Sequence, residues 1–116
     1  MRDLDFTICC TITFFSKKRR TPPNLNNGKY CPHLVIQGSD QLLGVNFIDG
    51  EDVIFDKEID ANALPLYETV DYSALKAGTE FLIMEGGNIA GEGIVKEIFQ
   101  HKRYGSKYIW AIKMYA

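Results

Sequence analysis

Phe81-Leu82-Ile83-Met84-Glu85-Gly86-Gly87-Asn88-Ile89-Ala90-Gly91-Glu92-Gly93-Ile94-Val95 joins an apolar run of strand length to a second extended segment through the tightest turn signal in the chain. Two adjacent glycines tolerate the positive φ that a two-residue hairpin loop demands, so the stretch predicts an antiparallel hairpin. Ile89 to Phe99 then reads as a long strand, weakened or bulged at Gly91 and Gly93, where no side chain contributes to packing.

Working outward, the same two-residue period recurs. Phe6, Ile8, Cys10, Ile12 and Phe14 alternate with Thr7, Cys9, Thr11 and Thr13, which predicts a half-buried strand over Phe6 to Phe14, with Cys10 toward the core and Cys9 on the opposite face. The basic run Lys17-Lys18-Arg19-Arg20 ends that pattern. Prolines and asparagines between Thr21 and Gly28 then exclude a helix and predict an exposed loop. Further strands are expected at His33 to Gln37, Leu42 to Ile48 and Val53 to Phe55, with turns at Gly38-Ser39-Asp40 and Asp49-Gly50. Ala61 to Leu75 has a helical reading, but Pro65 and the β-branched pair Thr69-Val70 favour a strand with an irregular end. Tyr108, Trp110, Ile112 and Met114 share one face of a final segment, an added strand over about 107–115 that forms a hairpin with the preceding one. Seven or so short strands with turns about every ten residues point to an all-β barrel or sandwich.

Size and composition limit what such a fold can do. A chain of 116 residues accommodates one domain, 1–116, and its 46% hydrophobic and 24% charged residues suffice for a core of its own. A net charge of -2 argues against a general polyanion binder. Cys9, Cys10 and Cys31 are an odd number without metal-ligand spacing, which suits a reducing compartment. The acidic start, Met1-Arg2-Asp3-Leu4-Asp5, lacks the character of a secretory signal, and no apolar run reaches membrane-spanning length. A cytoplasmic location without membrane contact is the expectation. The glycines are followed by no helix or GK[ST] motif, so no nucleotide cofactor is expected, and indeed no cofactor of any kind. His33 and His101 have no sequence neighbours suited to acid–base work, and no cysteine has a basic neighbour that would activate it, so the chain reads as non-enzymatic.

The quoted stretch resembles the last hairpin of the third domain of translation elongation factor Tu, which reads there approximately FAIREGGRTVGAGVV. Arg20-Thr21-Pro22 is similar to that family's GR-x-TP segment, and Gly28-Lys29-Tyr30-Cys31-Pro32-His33 to its GYRPQ, in the same order along the chain. The resemblance spans about residues 7–99. It implies an antiparallel barrel of about six strands, here carrying an additional C-terminal strand or hairpin. It also implies a role in binding aminoacyl-tRNA or partner proteins, without the GTPase domain.

Departures from the pattern bear on function. The loop before Tyr30 is about three residues longer than in the family. Cys31 replaces an arginine, His33 a glutamine and Asn88 another arginine. Glu85-Gly86 resembles the family's contact with the T-stem of tRNA, where a carboxylate can accept from a ribose 2′-hydroxyl. The same pair is also what any glycine-rich hairpin would show. Lys17 to Arg20 would join His101, Lys102, Arg103 and Lys107 in one phosphate-binding patch if both runs lay at one barrel end, although basic runs beside strands are more often solvated edges. The candidate binding residues are therefore Arg20, His33, Glu85, Gly86, Asn88, Lys102 and Arg103. The expected activity is that of a binding module for a protein partner, as a translation-factor mimic or an immunity or antitoxin-type protein. The alternative is a tRNA- or RNA-binding accessory module.

Overall fold

The computed structural model describes residues 6–101, which form six strands and no helix. They are β1 (Phe6–Phe14), β2 (His33–Ile36), β3 (Leu43–Gly50), β4 (Ile59–Pro65), β5 (Glu80–Glu85) and β6 (Asn88–Gln100). All pairings are antiparallel, and the order β1-β4-β3-β2-β5-β6 closes on itself as a barrel. The described residues therefore form an all-β, six-stranded closed barrel.

β1 lies between β4 and β6 and sets the core. Phe6, Ile8, Cys10, Ile12 and Phe14 all point inward and are buried, as their alternation requires. They meet Leu34, Val45, Phe47, Ala63, Phe81, Ile83 and Val95 from the other five strands. Cys10 is buried and Cys9 half-buried on the outer face.

Each barrel end is closed by a tyrosine from a loop. At the end carrying the β5–β6 turn, called here the hairpin end, Tyr30 packs against Phe14 and Phe47. At the far end Tyr72 is buried edge-on to Phe6; its hydroxyl donates to the Gly44 carbonyl at 2.5 Å and accepts from the Leu66 and Tyr67 amides at 3.2 Å.

Three bulges curve the sheet into closure. Registers skip one residue at Ile48 in β3 and at Ala90 and Lys96 in β6. The skip at Lys96 changes which residues of β6 face inward, from the odd positions ending at Val95 to Ile98. Gly91 and Gly93 were expected as weak or bulged positions, but both stay in register with β1 and β5. They are glycines because a Cβ would overlap neighbours: the Thr13 carbonyl and Phe14 Cα at Gly91, and the Ile12 and Phe81 side chains at Gly93. Between Glu85 and Asn88, Gly86 has φ 60° and Gly87 no positive φ, the pattern of a type II′ hairpin turn.

The structure corrects three other readings. Val53 to Phe55 is no strand: the chain there is sewn to the end of β1 by Asp56, whose amide donates to the Phe14 carbonyl at 2.7 Å and whose carboxylate accepts from the Ser16 amide at 3.1 Å. Val53 and Phe55 are apolar because they pack on the core from a loop. Asp49-Gly50 is the end of β3, extended past the Ile48 bulge, and Asn26 holds it through a pair of bonds to the Gly50 amide and carbonyl. The strand expected over Ala61 to Leu75 begins at Ile59 and stops at Pro65; Val70, Tyr72 and Leu75 are core contacts from a loop. The added strand over about 107–115 lies outside the described residues.

Candidate interaction surface

Three surfaces differ sharply in charge: the hairpin end, one wall of the barrel, and the wall opposite. The hairpin end gathers most of the sequence-expected site residues. Lys17 to Arg20 leave β1 there, the 21–32 loop returns to β2, and the Glu85 to Asn88 turn lies alongside. Arg20 and Gly86 are exposed, and Gly86 has no neighbour within 4 Å of a Cβ position. The Asn88 side chain is engaged within the chain: its Nδ2 donates to the Lys18 carbonyl at 3.0 Å and ties the turn to the basic run. His33 is half-buried on the outside of β2, opposite Met84.

Glu85 is also engaged within the chain. Arg19 Nε donates to Glu85 Oε2 at 2.7 Å, and the Tyr30 hydroxyl donates to the same oxygen at 2.5 Å. The Arg19 guanidinium lies over the Tyr30 ring, 5.5 Å from its centre, and also donates to the Thr21 carbonyl. Burial, and then the bond to the Glu85 carboxylate, push the Tyr30 hydroxyl well above its ordinary range, so it remains a donor. The result is a clamp holding the long loop against the hairpin. Sequence reasoning chose Arg20 and passed over Arg19 and Tyr30. Adjacent arginines carry no signal for which one turns inward, and Tyr30 stood out only as part of the segment similar to GYRPQ, with no partner assigned to it.

The second basic group is not at this end. The Thr7 hydroxyl and His101 Nε2 are 2.8 Å apart at the start of β1, so His101 lies at the far end. At about 3.3 Å per residue the nine residues of β1 separate the two ends by roughly 26 Å. The expectation of one patch uniting Lys17–Arg20 with His101 is therefore incorrect. Lys102, Arg103 and Lys107 lie outside the described residues.

The outer wall over β4, β1 and β6 is acidic. Around Cys9 it carries Asp49, Glu51, Asp60 and Glu97, and around Thr11 and Thr13 it carries Glu58, Glu80 and Glu92, in two shallow depressions. Among the described residues Lys96 is the one cation lining them, 3.3 Å from the Asp60 carboxylate. The Thr11 hydroxyl, and then Lys96, hydrogen-bond to Asp60 and hold its carboxyl below the usual range. Burial and then the Glu97 charge raise the Cys9 thiol, the opposite of what an attacking sulfur needs.

The opposite wall, over β3, β2 and β5, is uncharged except for Glu80 at the far end of β5. Gly44, Asn46, His33, Val35, Leu82 and Met84 face outward from it, and none carries a carboxylate, ammonium or guanidinium. The Tyr67 ring packs against Gly44, where a Cβ would overlap it. Beside it Leu42, Ile48 and Leu66 are exposed, and Asn46 Oδ1 is buried without a hydrogen-bond partner.

Among the described residues no group of three or more His, Cys, Asp or Glu is arranged to hold a metal ion, and no helix is long and apolar enough to cross a membrane. No model of a known protein family matches the chain, and no curated protein is significantly similar to it.

Proposed function

We propose that this chain is a cytoplasmic, non-enzymatic binding module, built like the third domain of elongation factor Tu, whose partner is a protein. It acts as a translation-factor mimic or as an immunity or antitoxin-type protein covering an effector. The observation that carries the reading is the state of Glu85. The carboxylate that the resemblance assigns to a tRNA ribose is already bound by Arg19 and Tyr30, so RNA would have to displace two short internal bonds to reach it. The seven carboxylates of the acidic wall repel a phosphate backbone and suit a basic protein surface.

The alternative, an RNA-binding accessory module, draws support from Lys17, Lys18, Arg20 and Lys29, all exposed at the hairpin end. The two readings separate in one experiment. The immobilised chain is exposed to lysate with and without RNase, beside a gel shift with total and aminoacylated tRNA across a salt series. The protein-binding reading expects retention that survives RNase and is lost in an Asp60→Lys/Glu97→Lys variant. A salt-sensitive tRNA shift abolished by Arg20→Ala, with nothing retained after RNase, would overturn it.

A further inference from the structure

We infer that the uncharged wall over β3, β2 and β5 is a self-association surface, on which two copies of this chain pack face to face with their strands antiparallel. Four of the seven large exposed hydrophobic residues among those described lie on or beside this wall: Leu42 at 53% exposure, Tyr67 at 47%, Leu66 at 37% and Ile48 at 36%. Tyr67 packs against Gly44, where the absence of a side chain makes room for its ring, and it offers the kind of aromatic anchor that interfaces use. Beside it, Asn46 Oδ1 is shut off from solvent with an acceptor unused.

The charges at the rim identify the occupant. Where β2 and β5 meet the hairpin end, the wall is bounded by exposed Lys18, Arg20 and Lys29. At the far end of the same strands it is bounded by exposed Asp40, in the β2–β3 connection, and Glu80, the first residue of β5. A two-fold axis lying in the wall and running across its strands places each strand over its own copy, reversed. Lys29 then comes over Asp40, and Lys18 and Arg20 over Glu80, twice by symmetry. A parallel arrangement would instead set cation on cation and acid on acid. The pattern is self-complementary, and this favours a second copy over an unrelated protein.

The area limits the affinity. Three strands, each about 4.8 Å wide, and some six residues at about 3.3 Å give a wall of roughly 14 by 20 Å. That lies below the ~800 Å² per partner of a standard interface even when the rim is added, so the dimer is reversible and concentration-dependent, in the micromolar range. This inference is independent of the proposed function, because Asp60 and Glu97, on which the partner test rests, lie on the far wall and outside the dimer contact.

Sedimentation of the full chain from about 1 to 500 µM tests it. A monomer–dimer equilibrium weakened by salt is expected. Leu42→Glu and Tyr67→Lys, each checked for native far-UV circular dichroism, should raise the dimer Kd by about tenfold or more. Two charge-reversed chains decide the orientation: Lys18→Glu/Arg20→Glu/Lys29→Glu and Asp40→Lys/Glu80→Lys. Each should be monomeric alone, and the two together should form a heterodimer. A chain that stays monomeric to about 500 µM overturns the inference. So does a dimer indifferent to both wall substitutions, or a pair of reversed chains that fail to associate with each other.

Discussion

Three glycines within six residues should respond in three different ways to the addition of one methyl group. At Gly91 a Cβ would fall well inside 3.0 Å of the Thr13 carbonyl oxygen and 3.2 Å from Phe14 Cα, so the obstruction is the backbone of β1 itself. Carbon–oxygen contacts between strands settle near about 3.3 Å, so β1 and β6 must part by roughly 1 Å at the rung pairing Phe14 with Gly91. The fully buried Phe14 would move with its strand. Overpacking of this kind costs about 1–3 kcal/mol, against which the stiffer unfolded chain returns about 0.4–1 kcal/mol. At Gly86 the space is open but φ is 60°, so alanine costs about 1 kcal/mol for conformation alone. At Gly87 the space is open and φ is not positive, so alanine should lie within about 0.5 kcal/mol of the parent. Urea denaturation followed by far-UV circular dichroism resolves these values. With m of about 1–2 kcal/mol/M, the Gly91→Ala midpoint should drop by roughly 1 M while that of Gly87→Ala barely moves. The argument from strand proximity fails if Gly91→Ala unfolds at the midpoint of the parent, or if Gly87→Ala is the more damaging of the two.

Two further outcomes concern the clamp and pH. Tyr30→Phe should cost about 1 kcal/mol, and Glu85→Ala about 2–3 kcal/mol because it leaves the Tyr30 hydroxyl and Arg19 without their shared acceptor; a Glu85→Ala loss below about 0.5 kcal/mol in the same urea assay would show the clamp to be ornamental. Burial, and then the neighbouring Cys9, push the Cys10 thiol up to about 12, and Tyr30 is raised as well. The folded state then holds protons that the unfolded state releases, so stability contributed by these groups is intact below about pH 9 and declines as pH rises toward about 12. A denaturation midpoint that rises over this interval would contradict the assignment.

Legibility in the sequence followed the periodicity of burial. β1 could be read residue by residue because five inward apolar positions alternate without interruption. β5 and the turn after it were equally plain, since consecutive glycines leave a hairpin few rivals. Val53 to Phe55 misled because an apolar triplet suits a strand and a core-packed loop alike, and what decides is Asp56, a residue with positive φ bonded to β1. The extent of β3 was obscured by the Ile48 bulge, which breaks the two-residue period that would have carried it to Gly50. The site was harder still. Glu85, Gly86 and Asn88 were located correctly as one turn. The partners that occupy Glu85 are 66 and 55 residues away in sequence, and no local pattern announces a contact at that range.

The pairing of Phe6 with Gln100 has a mechanical consequence. The described chain enters the barrel on β1 and leaves it on β6 at adjacent positions of one antiparallel ladder. Force applied through segments attached at both points acts across the β1–β6 hydrogen bonds and opens them one rung at a time, the peeling geometry, which resists far less than shearing all rungs together. Tension would therefore open the barrel first at Phe6, at the end remote from the clamp, and reach the rung at Gly91 last.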